Sequence, residues 1–173
     1  KSPRYILNNP NHSFIKEIKN KVAVFVNEKI DTVLNILEVY NFSYVQLHGN
    51  ESSDYCRKLK EKGVKIIKSY LIMKEEDLKN IKMDKDSIDY FLFDYKSDKY
   101  GGSGKTFDWE ILNNKFFDKP YFLSGGLSLD NINNINMIKE KEKPYCLDLN
   151  SKFEESPGIK DIEKISKLFN LNL

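Results

Sequence analysis

Val22-Ala23-Val24-Phe25-Val26, then Ile30 to Tyr40, then Tyr44-Val45-Gln46-Leu47 is the stretch on which the fold turns. The first segment is a short apolar run rich in β-branched residues, the pattern of a buried strand. In the second, Ile30, Val33, Leu34 and Leu37 recur at helical spacing. The third is strand-like again. A strand, a helix and a strand joined by short connections form a βαβ unit, whose two strands run parallel.

The same alternation continues outward in both directions. A helix is expected from about Ser52 to Lys62, ended by Gly63. Strands follow at Val64–Ile67, Asp89–Asp94, Pro120–Leu123 and Tyr145–Leu149, with a charged helix over Lys74–Ile81 between the first two. Asp94 leads into a long Gly-rich loop and a short helical stretch near Trp109. Further helices are expected from about Leu129 and over Ile159–Phe169, and one near Phe14–Lys19 precedes the series. Six strand-then-helix units imply a parallel sheet with helical crossovers, either open and doubly wound or closed as a barrel. An eight-unit barrel takes at least about 200 residues. This chain has 173 and would be about two strands short. No linker or low-complexity tract interrupts it, so residues 1–173 read as one domain.

Hydrophobic residues make up 40% and aromatics 13%, enough for a core and too many for a disordered chain. Lys+Arg is 28 against Asp+Glu 26, a net charge of +2, and arginine occurs only at Arg4 and Arg57. Nucleic acid is therefore not an expected partner. Two cysteines, Cys56 and Cys146, cannot build a disulfide framework and fit a reducing compartment. No run approaches the roughly 20 apolar residues of a membrane span. The expectation is a cytoplasmic protein without membrane association.

Ligands of parallel α/β domains bind at the carboxyl ends of the strands. There the chain carries Asn27, Gln46, His48, Lys68, Asp94, Ser124-Gly125-Gly126 and Asp148-Leu149-Asn150-Ser151. Each alone reads as structural, a helix cap or a packed polar group; their convergence on one sheet edge favours a ligand site. Bare N–H groups at Gly125-Gly126 and Asn150-Ser151, next to helix starts, suit a phosphate. Gly101-Gly102-Ser103-Gly104-Lys105-Thr106 resembles a nucleotide P-loop, but Lys99 stands where that motif needs its first glycine. The alternatives for this loop are a plain surface loop or a lid over a phosphorylated ligand. Cys56, within a helix, and Cys146, at the inward parity of the last strand, are expected to pack in the core. Trp109 reads as a packing anchor.

Taken in order, Lys1-Ser2-Pro3-Arg4-Tyr5, Val24-Phe25-Val26-Asn27, Val45-Gln46-Leu47-His48-Gly49 and Asp94 form the first half of a recognisable series. Gly101–Trp109 (GGSGKTFDW), Leu123-Ser124-Gly125-Gly126-Leu127, Asp148 and Pro157-Gly158-Ile159-Lys160-Asp161 complete it. The chain closely resembles the phosphoribosylanthranilate isomerases of tryptophan biosynthesis, along its whole length. The resemblance implies a (β/α)8 TIM barrel that catalyses an Amadori rearrangement of a phosphoribosylated anthranilate, with no metal and no cofactor. It implies a general acid at Asp94, which must still carry a proton near neutral pH. It also implies substrate binding by Arg4, His48 and Asp148, with Arg4 pairing the anthranilate carboxylate. The phosphate cradle would be Gly102, Gly125, Gly126, Asn150 and Ser151. The expected partner is a small phosphosugar substrate, and the expected state a monomer.

Two departures accompany the resemblance. Lys152 stands where the family's last phosphate loop has glycine, which restricts the backbone and could add a cation. The family's general base is a cysteine on the first strand, and the first strand, first helix and second strand are absent from this numbering. Those elements, about 35 to 40 residues, are expected before Lys1. Another phosphosugar isomerase, a phosphosugar-binding remnant without turnover and, least favoured, a nucleotide-binding module stay open as alternatives.

Overall fold

The computed structural model describes residues 2, 4, 5, 12–81, 84–95, 106–113, 115, 117–139 and 142–171. The chain divides into two compact units, one of Tyr5–Tyr70 with Lys82–Leu92, the other of Lys1–Arg4, Leu71–Ile81 and Phe93–Leu173. They are called here the N-terminal and C-terminal units.

In the N-terminal unit, β1 (Val22–Phe25), α1 (Ile30–Tyr40), β2 (Tyr44–Leu47), α2 (Ser53–Lys60) and β3 (Lys65–Ile72) follow the expected alternation. Strands β1 and β2 pair in parallel with Val22 opposite Tyr44, and β2 and β3 with Tyr44 opposite Lys65. Local chemistry sets the element ends. The Ser52 side chain caps α2 by accepting from the Tyr55 N–H at 3.2 Å. Asn41 ends α1 in the left-handed region at φ 54°, which asparagine tolerates better than most residues. Gly63, at φ 79°, turns the chain into β3. Val33, Leu37, Val45, Leu47, Leu59, Ile66, Ile67 and Ile88 are all buried and make the core of this unit. Each is worth about 1.5–3 kcal/mol relative to exposure.

Strand β4 (Tyr90–Tyr95) begins in the N-terminal unit and ends in the C-terminal one. The latter also holds α3 (Glu75–Lys79), β5 (Tyr121–Leu123), β6 (Cys146–Leu147), β7 (Glu154–Ser156), β8 (Ile159–Lys160) and α4 (Ile162–Phe169). Its core is aromatic: the rings of Phe93, Phe117 and Tyr121 lie within 5.0–5.4 Å of one another. Trp109, Leu112, Leu123, Ile132 and Phe153 complete it. Strand order is β1-β2-β3-β4 in the one unit and β4-β5-β6 in the other. A doubly wound sheet reverses its order at a switch point; neither unit contains a reversal, and the layout is of the TIM-barrel type.

Several expectations need correction. Val22–Val26 reads as a buried strand, yet Val22, Val24 and Val26 are 39%, 58% and 63% exposed while Ala23 is buried. Strand β1 is an edge strand with only β2 as a neighbour, and its side carrying Val22, Val24 and Val26 is left partly open to solvent. Cys146 was expected in the core but is exposed for the same reason, since β6 pairs only with β5. Inward parity gives burial only where a facing layer exists. Residues Ile159–Lys160 are not the start of the last helix; they form β8, paired antiparallel with β7 around a Gly158 turn at φ 90°. The helix begins after Asp161, whose side chain accepts from the Lys164 N–H at 3.0 Å. The helices expected near Phe14 and Leu129 are 3-10 helices, His12–Glu17 and Ile132–Met137.

Candidate active site

In the C-terminal unit, the ends of β4, β5 and β6 bring together most of the residues expected to act. Asp94 is half-buried near the end of β4, and its Oδ1 accepts from the Tyr95 N–H at 2.8 Å. Gly125 follows β5 at φ 88°, and a Cβ there would lie 2.5 Å from the Tyr95 nitrogen and 2.7 Å from Asp94 Oδ1. Only glycine fits, because both the backbone angle and the approach exclude a side chain. The turn backbone therefore lies directly against the Asp94 carboxyl. Gly126 continues it at φ 69°, and its carbonyl accepts from Asn131 Nδ2 at 3.0 Å. The Asn131 Oδ1 accepts in turn from the Ser128 N–H at 2.9 Å, so one side chain ties Gly126 to the residues that follow it.

The end of β6 is tied to the same place. Ser124 Oγ donates to Asp148 Oδ2 at 3.2 Å, and the Asp148 N–H bonds the Leu123 carbonyl at 2.8 Å. Asn150 and Ser151 are exposed at the start of a 3-10 turn, Ser151–Phe153. Lys152 lies inside that turn. It is not among the described non-glycine residues with positive φ, so replacing glycine there imposes no left-handed strain. Gly102 lies outside the described residues, as does the rest of the loop around it.

Arg4 is not isolated. Glu154, on β7, accepts from Arg4 Nε at 3.0 and 3.1 Å and from Nη2 at 2.5 Å. Lys160, on β8, donates to the same carboxylate at 3.2 Å, to the Leu149 carbonyl at 3.0 Å and to Asn150 Oδ1 at 3.3 Å. The Arg4 hydrogen bonds pull the Glu154 carboxyl down to about 2; burial opposes them, and Lys160 reinforces them. Sequence reasoning singled out neither Glu154 nor Lys160. The β7–β8 hairpin puts them side by side, and a Pro-Gly turn between two short runs was the available signal.

The N-terminal unit holds a second polar cluster at its strand ends. His48 Nδ1 lies 2.9 Å from Ser69 Oγ and 3.2 Å from Gln46 Nε2. Lys68 Nζ donates to the Gly49 carbonyl at 2.6 Å and to Glu51 Oε2 at 3.2 Å. Glu51 also accepts from the N–H groups of Asn27 and Gly49, at 2.8 and 3.0 Å. Neither cysteine presents a ready thiolate. Desolvation pushes the Cys56 thiol up to about 11 and raises that of Cys146 as well. Trp109 is buried as expected, and so is Cys56. No helix among the described residues is long and apolar enough to cross a membrane.

Comparison with known proteins fits this geometry. A family model described as N-(5'phosphoribosyl)anthranilate (PRA) isomerase matches residues 1–171. The N-(5'-phosphoribosyl)anthranilate isomerase of Parabacteroides distasonis is 41% identical over 145 residues, 84% of this chain and 65% of that protein. The chain thus spans slightly less than two thirds of that relative's length. The crystal structure of phosphoribosyl anthranilate isomerase from Thermotoga maritima superposes with a TM-score of 0.74 at 31% identity, covering 90% of this chain and 75% of the other. A structure of the isomerase in complex with reduced 1-(o-carboxyphenylamino)-1-deoxyribulose 5-phosphate is 29% identical, with a TM-score of 0.66 over 83% of this chain and 66% of the other. With the family model spanning nearly every residue and the strand-end acid, Gly-Gly turn and parallel layout in place, the chain belongs to the N-(5'-phosphoribosyl)anthranilate isomerase family.

Proposed function

We propose that this chain carries the isomerase activity of its family, the Amadori rearrangement of N-(5-phosphoribosyl)anthranilate to 1-(2-carboxyphenylamino)-1-deoxyribulose 5-phosphate in tryptophan biosynthesis. The observation that carries the reading is the approach of the Gly125 backbone to the Asp94 carboxyl, 2.7 Å from the position of a Cβ. An acid and a turn of bare N–H groups stand side by side in one unit, where a ring oxygen and a phosphate of one substrate could be met together. Asp94 acts as general acid, protonating the furanose oxygen so that the ring opens to an iminium. Loss of the C2 proton to a general base gives an enolamine, which tautomerises to the ketone. Neither Cys56 nor Cys146 is assigned as the base: Cys56 is buried within α2, and desolvation raises both thiols.

In this reading the phosphate lies between Gly125-Gly126 and Asn150-Ser151, with Gly102 joining from its loop. Arg4 pairs the anthranilate carboxylate through its guanidinium, and His48 and Asp148 are assigned as further substrate-binding residues. The finer fold reading, a complete (β/α)8 barrel whose first strand, first helix and second strand lie outside this numbering, belongs to the same proposal. So do the cytoplasmic location and the monomeric state, the latter to be checked by sedimentation because the Thermotoga maritima isomerase is described as dimeric.

The test is steady-state kinetics on the full natural chain. Gly126→Asp sets a carboxylate against the dianion and should raise KM strongly. An anion bound only elsewhere in crystals grown with phosphate, together with a kinetically silent Gly126→Asp, would count against the site.

A further inference from the structure

Arg4 and Glu154 are 150 positions apart in sequence, yet they meet edge to edge. Glu154 takes the Nε and Nη2 side of the guanidinium, and its own side chain is only 3% exposed. A guanidinium has a second pairing edge, formed by Nη1 and Nη2. The Arg4 side chain remains 33% exposed, and the Glu154 carboxylate engages Nε and Nη2 and not Nη1. The buried anion thus spends one edge of the arginine and leaves the other. Lys160 completes the arrangement: its ammonium bridges Glu154 and Asn150, tying the arginine's anchor to the loop assigned above to the phosphate.

We infer that Glu154 is a positioning residue of the substrate site: it orients the outer edge of Arg4 toward the substrate's aromatic carboxylate and, through Lys160, sets the spacing between that carboxylate site and the Asn150 loop. This rests on the assignment of Arg4 to the anthranilate carboxylate. A buried acceptor is what such a role needs. A charged side chain on an exposed chain segment loses much rotamer entropy when it is immobilised on ligand binding. An arginine already clamped at one edge pays less of that cost. A solvent-facing glutamate could not clamp it in this way, because surface ion pairs contribute about 0–1 kcal/mol.

The experiment measures kcat, KM and two inhibition constants in the full natural chain. The inhibitors are the reduced product analogue and its aniline counterpart, identical except that the ring carboxylate is missing. Glu154→Gln keeps the shape and removes the charge. It should raise KM about tenfold with kcat changed by about twofold or less, and should shrink the preference for the carboxylated inhibitor about tenfold, the loss of one charge-assisted contact. In an Arg4→Ala background the same substitution should change the preference no further. If Glu154→Gln does not fold, Glu154→Asp carries the test, with the charge kept but the reach shortened and a smaller rise in KM of about threefold. An undiminished inhibitor preference in a Glu154 variant, with Arg4→Ala abolishing that preference, would overturn the positioning role while the Arg4 assignment stands. A preference that survives Arg4→Ala would overturn the Arg4 assignment and the inference with it. A Glu154→Gln effect that adds in full to that of Arg4→Ala would also sink the inference, since the glutamate would then act by another route.

Discussion

Each unit of this protein carries a buried carboxylate held by a lysine at its strand ends, and the two are built differently. In the N-terminal unit, the side chains of Glu51 and Lys68 are 2% and 4% exposed. The carboxylate accepts from two backbone N–H groups, and the ammonium donates to the Leu47 and Gly49 carbonyls as well as to Glu51. Both charges are engaged by each other and by the protein's own backbone. In the C-terminal unit, Glu154 is as deeply buried, but its partners Arg4 and Lys160 are 33% and 39% exposed. A sealed ion pair fixes loops and has no charge left for a ligand; a pair open on its cationic side fixes a cation and still presents it. Burial of the anion is common to both, and exposure of the cation is what distinguishes them.

The largest effect should come from opening the sealed pair. Lys68→Met leaves Glu51 buried without its counter-charge and should cost about 3–5 kcal/mol of stability, read from urea unfolding. A loss no larger than that of a surface substitution would show that the pair is not what holds those loops. In the C-terminal unit the corresponding damage should fall on catalysis. Asp94→Asn preserves shape without the donor proton and should lower turnover about 100-fold or more with little change in substrate binding. Near-normal turnover would remove Asp94 from the mechanism.

A smaller loss should follow from crowding the carboxyl. The Cβ of Gly125→Ala would press on the Tyr95 backbone and on Asp94 Oδ1 in a disfavoured backbone region. A fall in kcat/KM of about tenfold is expected, with Gly63→Ala, whose Cβ would meet nothing within 4 Å, leaving kinetics unchanged. Equal effects of the two substitutions would mean that backbone strain alone is at work. The smallest effect is on the acid limb of stability. Glu154 falls from its ordinary 4.5 to about 2 in the folded chain, so its pairing stabilises fully above about pH 4.5 and is lost as pH drops through about 2. The stability gap between the natural protein and Glu154→Gln should therefore close over that window. A gap constant down to pH 2 would contradict a charged Glu154.

The strand–helix alternation and the placing of Asp94, Gly125, Gly126, Asn150 and Ser151 at or just after strand ends were readable from the residues; the order of the strands was not, because periodicity fits an open and a closed sheet alike. Periodicity and turn chemistry are local, and ligand sites of parallel sheets sit at the strand ends whatever the details. The β7–β8 hairpin was not readable as such. Ile159-Lys160-Asp161-Ile162 has the apolar spacing of a helix start, and only pairing with Glu154–Ser156 makes its first two residues a strand. The exposure of Val24 and Cys146 was also missed, because alternation says which side of a strand a residue faces and not what lies opposite.

By itself, then, the sequence determined the six parallel strands, the main helices between them and the polar groups at their ends, since hydrophobic period, caps and glycines act over a few residues. Only the tertiary structure decided that Gly125 lies against Asp94 and that Arg4 pairs with a glutamate 150 positions away. Contacts of that kind depend on how strands register in space, and no spacing along the chain encodes the distance between two atoms brought together by the fold.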